Sequence, residues 1–90
     1  MIHLAVEIKN LRGRDLIVWF EPWAGKALLR SGALLTVECD SVEAVPLPIE
    51  YLDEAIAVYG VPGSSMKAFI EGQLVFESFE RLPTVPKPNL

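Results

Sequence analysis

Leu16-Ile17-Val18-Trp19-Phe20-Glu21-Pro22-Trp23-Ala24-Gly25-Lys26-Ala27-Leu28-Leu29 decides how this chain is read. Two apolar runs, Leu16 to Phe20 and Ala27 to Leu29, are separated by a proline, a large aromatic and a glycine. The first run is dense in β-branched and aromatic residues, which pack well on a pleated surface. Proline cannot donate to a central ladder and glycine reaches backbone conformations that other residues resist, so Glu21 to Gly25 is a shape-specific turn between two strands.

The same period-two logic extends outward from this corner. Ile2, Leu4, Val6 and Ile8 alternate with His3, Ala5, Glu7 and Lys9, the pattern of a half-buried strand. Asn10 to Arg14, with Gly13, is a turn, and Ser31-Gly32 is a tight one. From Leu34 to Asp40, Leu35, Val37 and Cys39 share one face and Thr36, Glu38 and Asp40 the other. Val42 to Tyr51 holds Pro46 and Pro48, which restricts it to an edge strand or an extended connection. Leu52 to Ala55 is a loop, Ile56 to Tyr59 a short strand, and Gly60 to Ser65 a loop. The last hairpin joins Met66–Ile70 to Leu74–Phe79. A three-residue loop, Glu71-Gly72-Gln73, pairs Ile70 with Leu74, Ala68 with Phe76 and Lys67 with Glu77, which sets opposite charges across from each other. About seven short strands with regular turn signals predict an all-β, antiparallel sandwich over residues 1–80. Pro83, Pro86 and Pro88 make residues 81–90 an extended tail.

Composition narrows the function classes. Ninety residues form one domain, and a chain of this size buries only roughly 60–65% of its unfolded surface. Cys39 is the single cysteine, so no internal disulfide supplements the core, and with His3 as the single histidine no metal site is expected. With 51% apolar residues, oligomerisation is the supplement left, and a homo-oligomer, dimer or larger, is expected. The net charge is −4, and no base lies between Arg30 and Lys67, where six acids do. Phosphate binding needs clustered Lys and Arg, so nucleic acid is not an expected partner. The N-terminus lacks the charged and apolar regions of a signal peptide, no apolar run reaches about 20 residues, and a lone cysteine suits a reducing compartment. The expected setting is cytoplasmic, without a membrane partner.

No catalytic set assembles from these residue types. Ser64-Ser65-Met66-Lys67 matches a Ser-x-x-Lys pattern but lies between a loop and a strand rather than opening a helix. Cys39 shares a face with Leu35 and Val37, a core position, while His3 falls on the polar face of its strand. Glu38 and Asp40 project from one face with Cα atoms about 7 Å apart, as on a solvated surface. No cofactor is implied. The candidate interface residues follow from parity: Ile17, Trp19, Phe69, Val75 and Phe79 point away from the face that carries Leu16, Val18, Phe20, Ala68, Ile70, Leu74 and Phe76. Both sets are apolar, so an outer face is expected to be left uncovered, and large exposed apolar patches mark interaction sites.

Glu21-Pro22-Trp23-Ala24-Gly25-Lys26, then Leu28-Leu29-Arg30-Ser31-Gly32 and a strand ending in acids, resembles a group of small bacterial proteins with a Glu-Pro-Trp-Gly turn and a closing hairpin, where Glu71-Gly72 stands for the turn. The resemblance spans roughly residues 4–77 and implies a fold similar to cupredoxin or immunoglobulin-like sandwiches rather than an activity. Blue-copper sites need two histidines and a cysteine, so copper electron transfer is not implied. The expected function is a non-enzymatic interaction or accessory module that self-associates, or binds an unknown protein partner, through Trp19, Phe69, Val75 and Phe79. The alternative is a small-ligand binder, for a carbohydrate or an apolar molecule, built on Trp23 and Glu21.

Overall fold

A computed structural model describes residues 1–78 and 80–84. Eight strands follow one another: β1 Ile2–Lys9, β2 Leu16–Glu21, β3 Gly25–Leu29, β4 Leu34–Ser41, β5 Ile49–Tyr51, β6 Ala55–Tyr59, β7 Ser65–Ile70 and β8 Gln73–Glu77. They form two four-stranded sheets, ordered β1-β4-β7-β8 and β3-β2-β6-β5. The all-β sandwich expected from the alternation is present. Its eighth strand is β5, the short edge piece that follows Pro46 and Pro48. Among the described residues no helix is long and apolar enough to cross a membrane.

Alternation becomes burial directly. Leu16, Val18 and Phe20 of β2 face Leu35 and Val37 of β4, Ile56 and Val58 of β6, and Met66 and Ala68 of β7 in one core. Cys39 is fully buried on the inner face of β4. Outward positions on β1 and β4, including His3, Glu7, Thr36 and Glu38, stay wholly or partly in solvent.

Two details differ from the antiparallel expectation. First, β2 and β6 run parallel, Trp19 opposite Ala57 and Phe20 opposite Val58, while every other pair is antiparallel. Two strands far apart in sequence meet because β3, β4 and β5 carry the chain across to the other sheet and back between them. Second, the final hairpin closes through two residues, not three. Glu71 and Gly72 both have positive φ, 49° and 79°, the conformation of the tight hairpin turn whose twist matches its strands. Ile70 therefore faces Gln73 and Phe69 faces Leu74, and the expected Ile70–Leu74 pair does not form. A β-bulge after Leu74 absorbs one residue and restores the expected Ala68–Phe76 and Lys67–Glu77 pairs. Leu74 consequently leaves the inner face and is 50% exposed.

The ends of the sandwich are tied by polar groups. Asn10 is buried, and its side-chain amide donates to the carbonyls of Arg14 (2.7 Å) and Leu29 (3.0 Å) while its Oδ1 accepts from the Arg12 N–H (3.1 Å). Its backbone N–H donates to the Ala33 carbonyl and its own carbonyl accepts from the Gly32 N–H. One residue thus joins the end of β1 to the turn before β2 and to both ends of the β3–β4 turn. At the other end, the chain expected to leave as a tail at Arg81 first returns to the domain. Arg81 donates to the carbonyls of Asp40 and Gly63, and the Leu82 N–H donates to the Ser64 carbonyl. Residues 85–90 of that expected tail lie outside the described residues.

Asn10→Ala removes three hydrogen bonds, one buried and two part-buried, and a buried group left unsatisfied costs about 1–3 kcal/mol. We expect a net loss of about 2–3 kcal/mol and a melting temperature lower by roughly 10–20 °C, measured by calorimetry.

Candidate functional site

The corner between β2 and β3 is built on a cis Glu21–Pro22 peptide and on Ala24 at φ 60°. Its shape sends Trp23 inward rather than into solvent. The indole lies 5.9 Å from the ring of Phe76, which stacks on Phe20 at 4.6 Å and 6°. Two glycines make the room. A Cβ on Gly25 would collide with the Phe76 ring, and a Cβ on Gly60 with the Trp23 indole. The Gly60 N–H donates to the Glu21 carbonyl at 2.7 Å, closing the corner onto the end of β6. Trp23 is thus a half-buried lid on the core.

Trp19 points the other way. On the outer face of β3-β2-β6-β5 it stands in a row with Lys26, Ala57 and Glu50. The Lys26 ammonium lies 5.6 Å from the indole centroid, within cation–π range. A second row holds Leu28, Ile17, Ala55 and Leu52, the last bonded through its N–H to the Ala55 carbonyl. Leu28 is 48% and Leu52 45% exposed. Arg12 and Arg14 donate to the backbone carbonyl of Asp53 and hold the Leu52 loop beside this face. Beside the indole is an open groove above Ala57, walled by Leu52, Glu50, Tyr59, Glu21 and Pro22. The Tyr59 hydroxyl donates to Glu50 at 2.9 Å, and that bond pushes the phenol's pKa up.

The expected single patch is therefore divided. Trp19 and Glu21 lie on the outer face of one sheet, whereas Phe69 lies on the outer face of the other, opposite Leu74. Val75 sits at the bulge and lines a second groove with Trp23, Leu74 and Phe76. Trp19 and Phe69 cannot touch one partner surface together, because parity separates inward from outward without saying which sheet's outside is meant. Phe79 lies outside the described residues.

The pairing of β1 with β4 adds His3 to the Glu38 and Asp40 pair expected on one strand face. The register of β1 on β4 sets His3 opposite Asp40, and His3 Nδ1 lies 2.6 Å from Asp40 Oδ1 with Glu38 4.0 Å from Nε2. The hydrogen bond to Asp40 raises the His3 pKa above its ordinary 6.5 and lowers that of Asp40 below 3.8. Cys39, adjacent in sequence, faces the opposite side of β4 and so does not meet the imidazole; burial raises its thiol pKa. Lys67, in the same cluster, pairs with Glu77 at 3.7 Å. Among the described residues no group of three or more ligating side chains is arranged to hold a metal ion.

No family model matches the chain, and no curated protein or solved structure does so significantly.

Two measurements follow from this geometry. The imidazole of His3 titrates above 6.5 by NMR and returns toward the ordinary value in Asp40→Asn. The pair stabilises the fold where both charges coexist. Its contribution fades as pH rises through the raised His3 pKa, and again as pH falls through the lowered Asp40 pKa. Separately, Gly25→Ala drives a methyl into the Phe76 ring and costs about 1–3 kcal/mol by overpacking, read from urea denaturation.

Proposed function

We propose that the chain is a non-enzymatic interaction module, cytoplasmic in setting, that self-associates through the outer face of β3-β2-β6-β5. One observation carries the reading: Leu28, Ile17 and Ala55 form an apolar row across β3, β2 and β6 that Leu52 continues just beyond the end of β5, next to the half-buried Trp19. The outward positions of a sandwich sheet normally alternate to polar residues. The opposite sheet comes closer to that rule, with His3–Asp40 and Lys67–Glu77 pairs over much of its outer face. Phe69 and Val75 drop out of the proposed surface, because they lie elsewhere. The base-free stretch between Arg30 and Lys67 supplies β5 and β6 on this sheet, so the face offers phosphate backbones little attraction.

Light scattering over rising protein concentration tests it. We expect concentration-dependent association, abolished by Leu28→Glu with the melting temperature unchanged. A strict monomer at every concentration refutes the reading.

A second reading is favoured by the groove itself. The Trp19 indole, the Tyr59 phenol and the carboxylates of Glu21 and Glu50 surround an apolar floor at Ala57. That combination suits a carbohydrate, by stacking and hydroxyl hydrogen bonds, or a small apolar molecule. Trp19→Ala separates the two: if it spares assembly but removes a ligand-induced thermal shift, the groove is a ligand site.

A further inference from the structure

Resting on that self-association reading, the geometry points to a homodimer in which two outer faces of β3-β2-β6-β5 stack about a two-fold axis that runs along the strands, between β2 and β6. Such an axis lays β3 over the partner's β5 and β2 over the partner's β6, and it keeps the rows in step. The first row reads Lys26, Trp19, Ala57, Glu50: cation, large, small, anion. Turned over and laid on itself, it sets Lys26 against the partner's Glu50 and Trp19 above the partner's Ala57. The hole this needs exists already, since the groove beside Trp19 has Ala57 as its floor. The second row gives Leu28 on the partner's Leu52 and Ile17 on the partner's Ala55.

The other face-to-face two-fold, with its axis across the strands, reverses the order of the rows. It lays Lys26 on the partner's Leu28 and Glu50 on the partner's Leu52, burying charges without counter-charges, which is strongly unfavourable. Charge thus selects between the two arrangements. Among the described residues neither Lys26 nor Glu50 has an ion-pair partner within its own chain. Aligned sheets stack at about −30°, so residues next to the axis stay in best step, and those are the Trp19–Ala57 and Ile17–Ala55 pairs. Four strands at about 4.8 Å and the two rows at about 6.8 Å give a face of roughly 19 by 14 Å, smaller than a stable protein interface. Association of this kind is weak and is read at high concentration.

Sedimentation equilibrium on Lys26→Glu, Glu50→Lys, the double variant and Ala57→Leu tests the arrangement. Each single charge reversal weakens dimerisation about tenfold or more, and the double reversal recovers it to within about threefold of wild type. Ala57→Leu adds apolar surface yet fills the hole, so it too weakens the dimer about tenfold. If Ala57→Leu does not fold, the charge-reversal set decides alone. Single reversals without effect, a double variant no better than either single, or a tighter Ala57→Leu dimer overturn the two-fold arrangement. In those cases Leu28→Glu still abolishes association if the self-association reading holds, so the two failures are told apart.

Discussion

The structure depends on the space left empty at Gly25. Because that residue lacks a Cβ, the Phe76 ring from β8 can lie against the start of β3 and stack flat on Phe20. This is the seam where β3 of one sheet approaches β8 of the other. Aromatic stacking contributes on the order of 1 kcal/mol beyond the burial of the rings, but its larger effect is positional. With Phe76 fixed, β8 must bulge after Leu74 to reach it, Trp23 finds a ring to cover, and Gly60 has to stay small beneath the indole. The corner at Glu21–Gly25 is the outside of this arrangement. Its proline and glycine shape a lid, and the chemistry at the surface belongs to residues on either side of it.

How much of this could be read in the chain follows from which forces are local. Alternation gave β1, β2 and β4 their inward faces residue by residue, since each pattern needs only its own strand and water. The Ala68–Phe76 and Lys67–Glu77 pairs were legible through charge and face matching. The Ile70–Leu74 pair was not: the two-residue Glu71-Gly72 turn excludes it, and the bulge that restores the later pairs answers to Gly25 and Phe20, about fifty residues away. Pairing between distant strands is invisible to periodicity. Neither the parallel β2–β6 ladder nor the meeting of His3 with Asp40 has a local sign, and both appear only once strand order is known. The candidate site shows the same limit. Trp19 was placed correctly as outward and Phe69 likewise, yet they face away from each other on opposite sides of the molecule.

The two ends of the sandwich solve a common problem by different means. Backbone groups at strand ends lose their ladder partners and must find others. At one end Asn10 takes up carbonyls from two turns at once, with Arg12 and Arg14 reaching across to the Asp53 carbonyl. At the other, Ser64 accepts from the Val61 N–H while Arg81 gathers the Asp40 and Gly63 carbonyls. Much of the basic charge is thus spent on backbone oxygens.

The position of Cys39 has a consequence of a different kind. Its sulfur is sealed inside β4, and burial holds it in the unreactive protonated form. A thiol reagent in solution reaches it only when the sheets part, because the thiolate is the nucleophile and the side chain has no exposed surface. The rate at which a chromogenic disulfide consumes this single thiol is therefore a clock for the opening of the sandwich itself. The protein carries its own internal reporter of breathing motions, one that needs no added label.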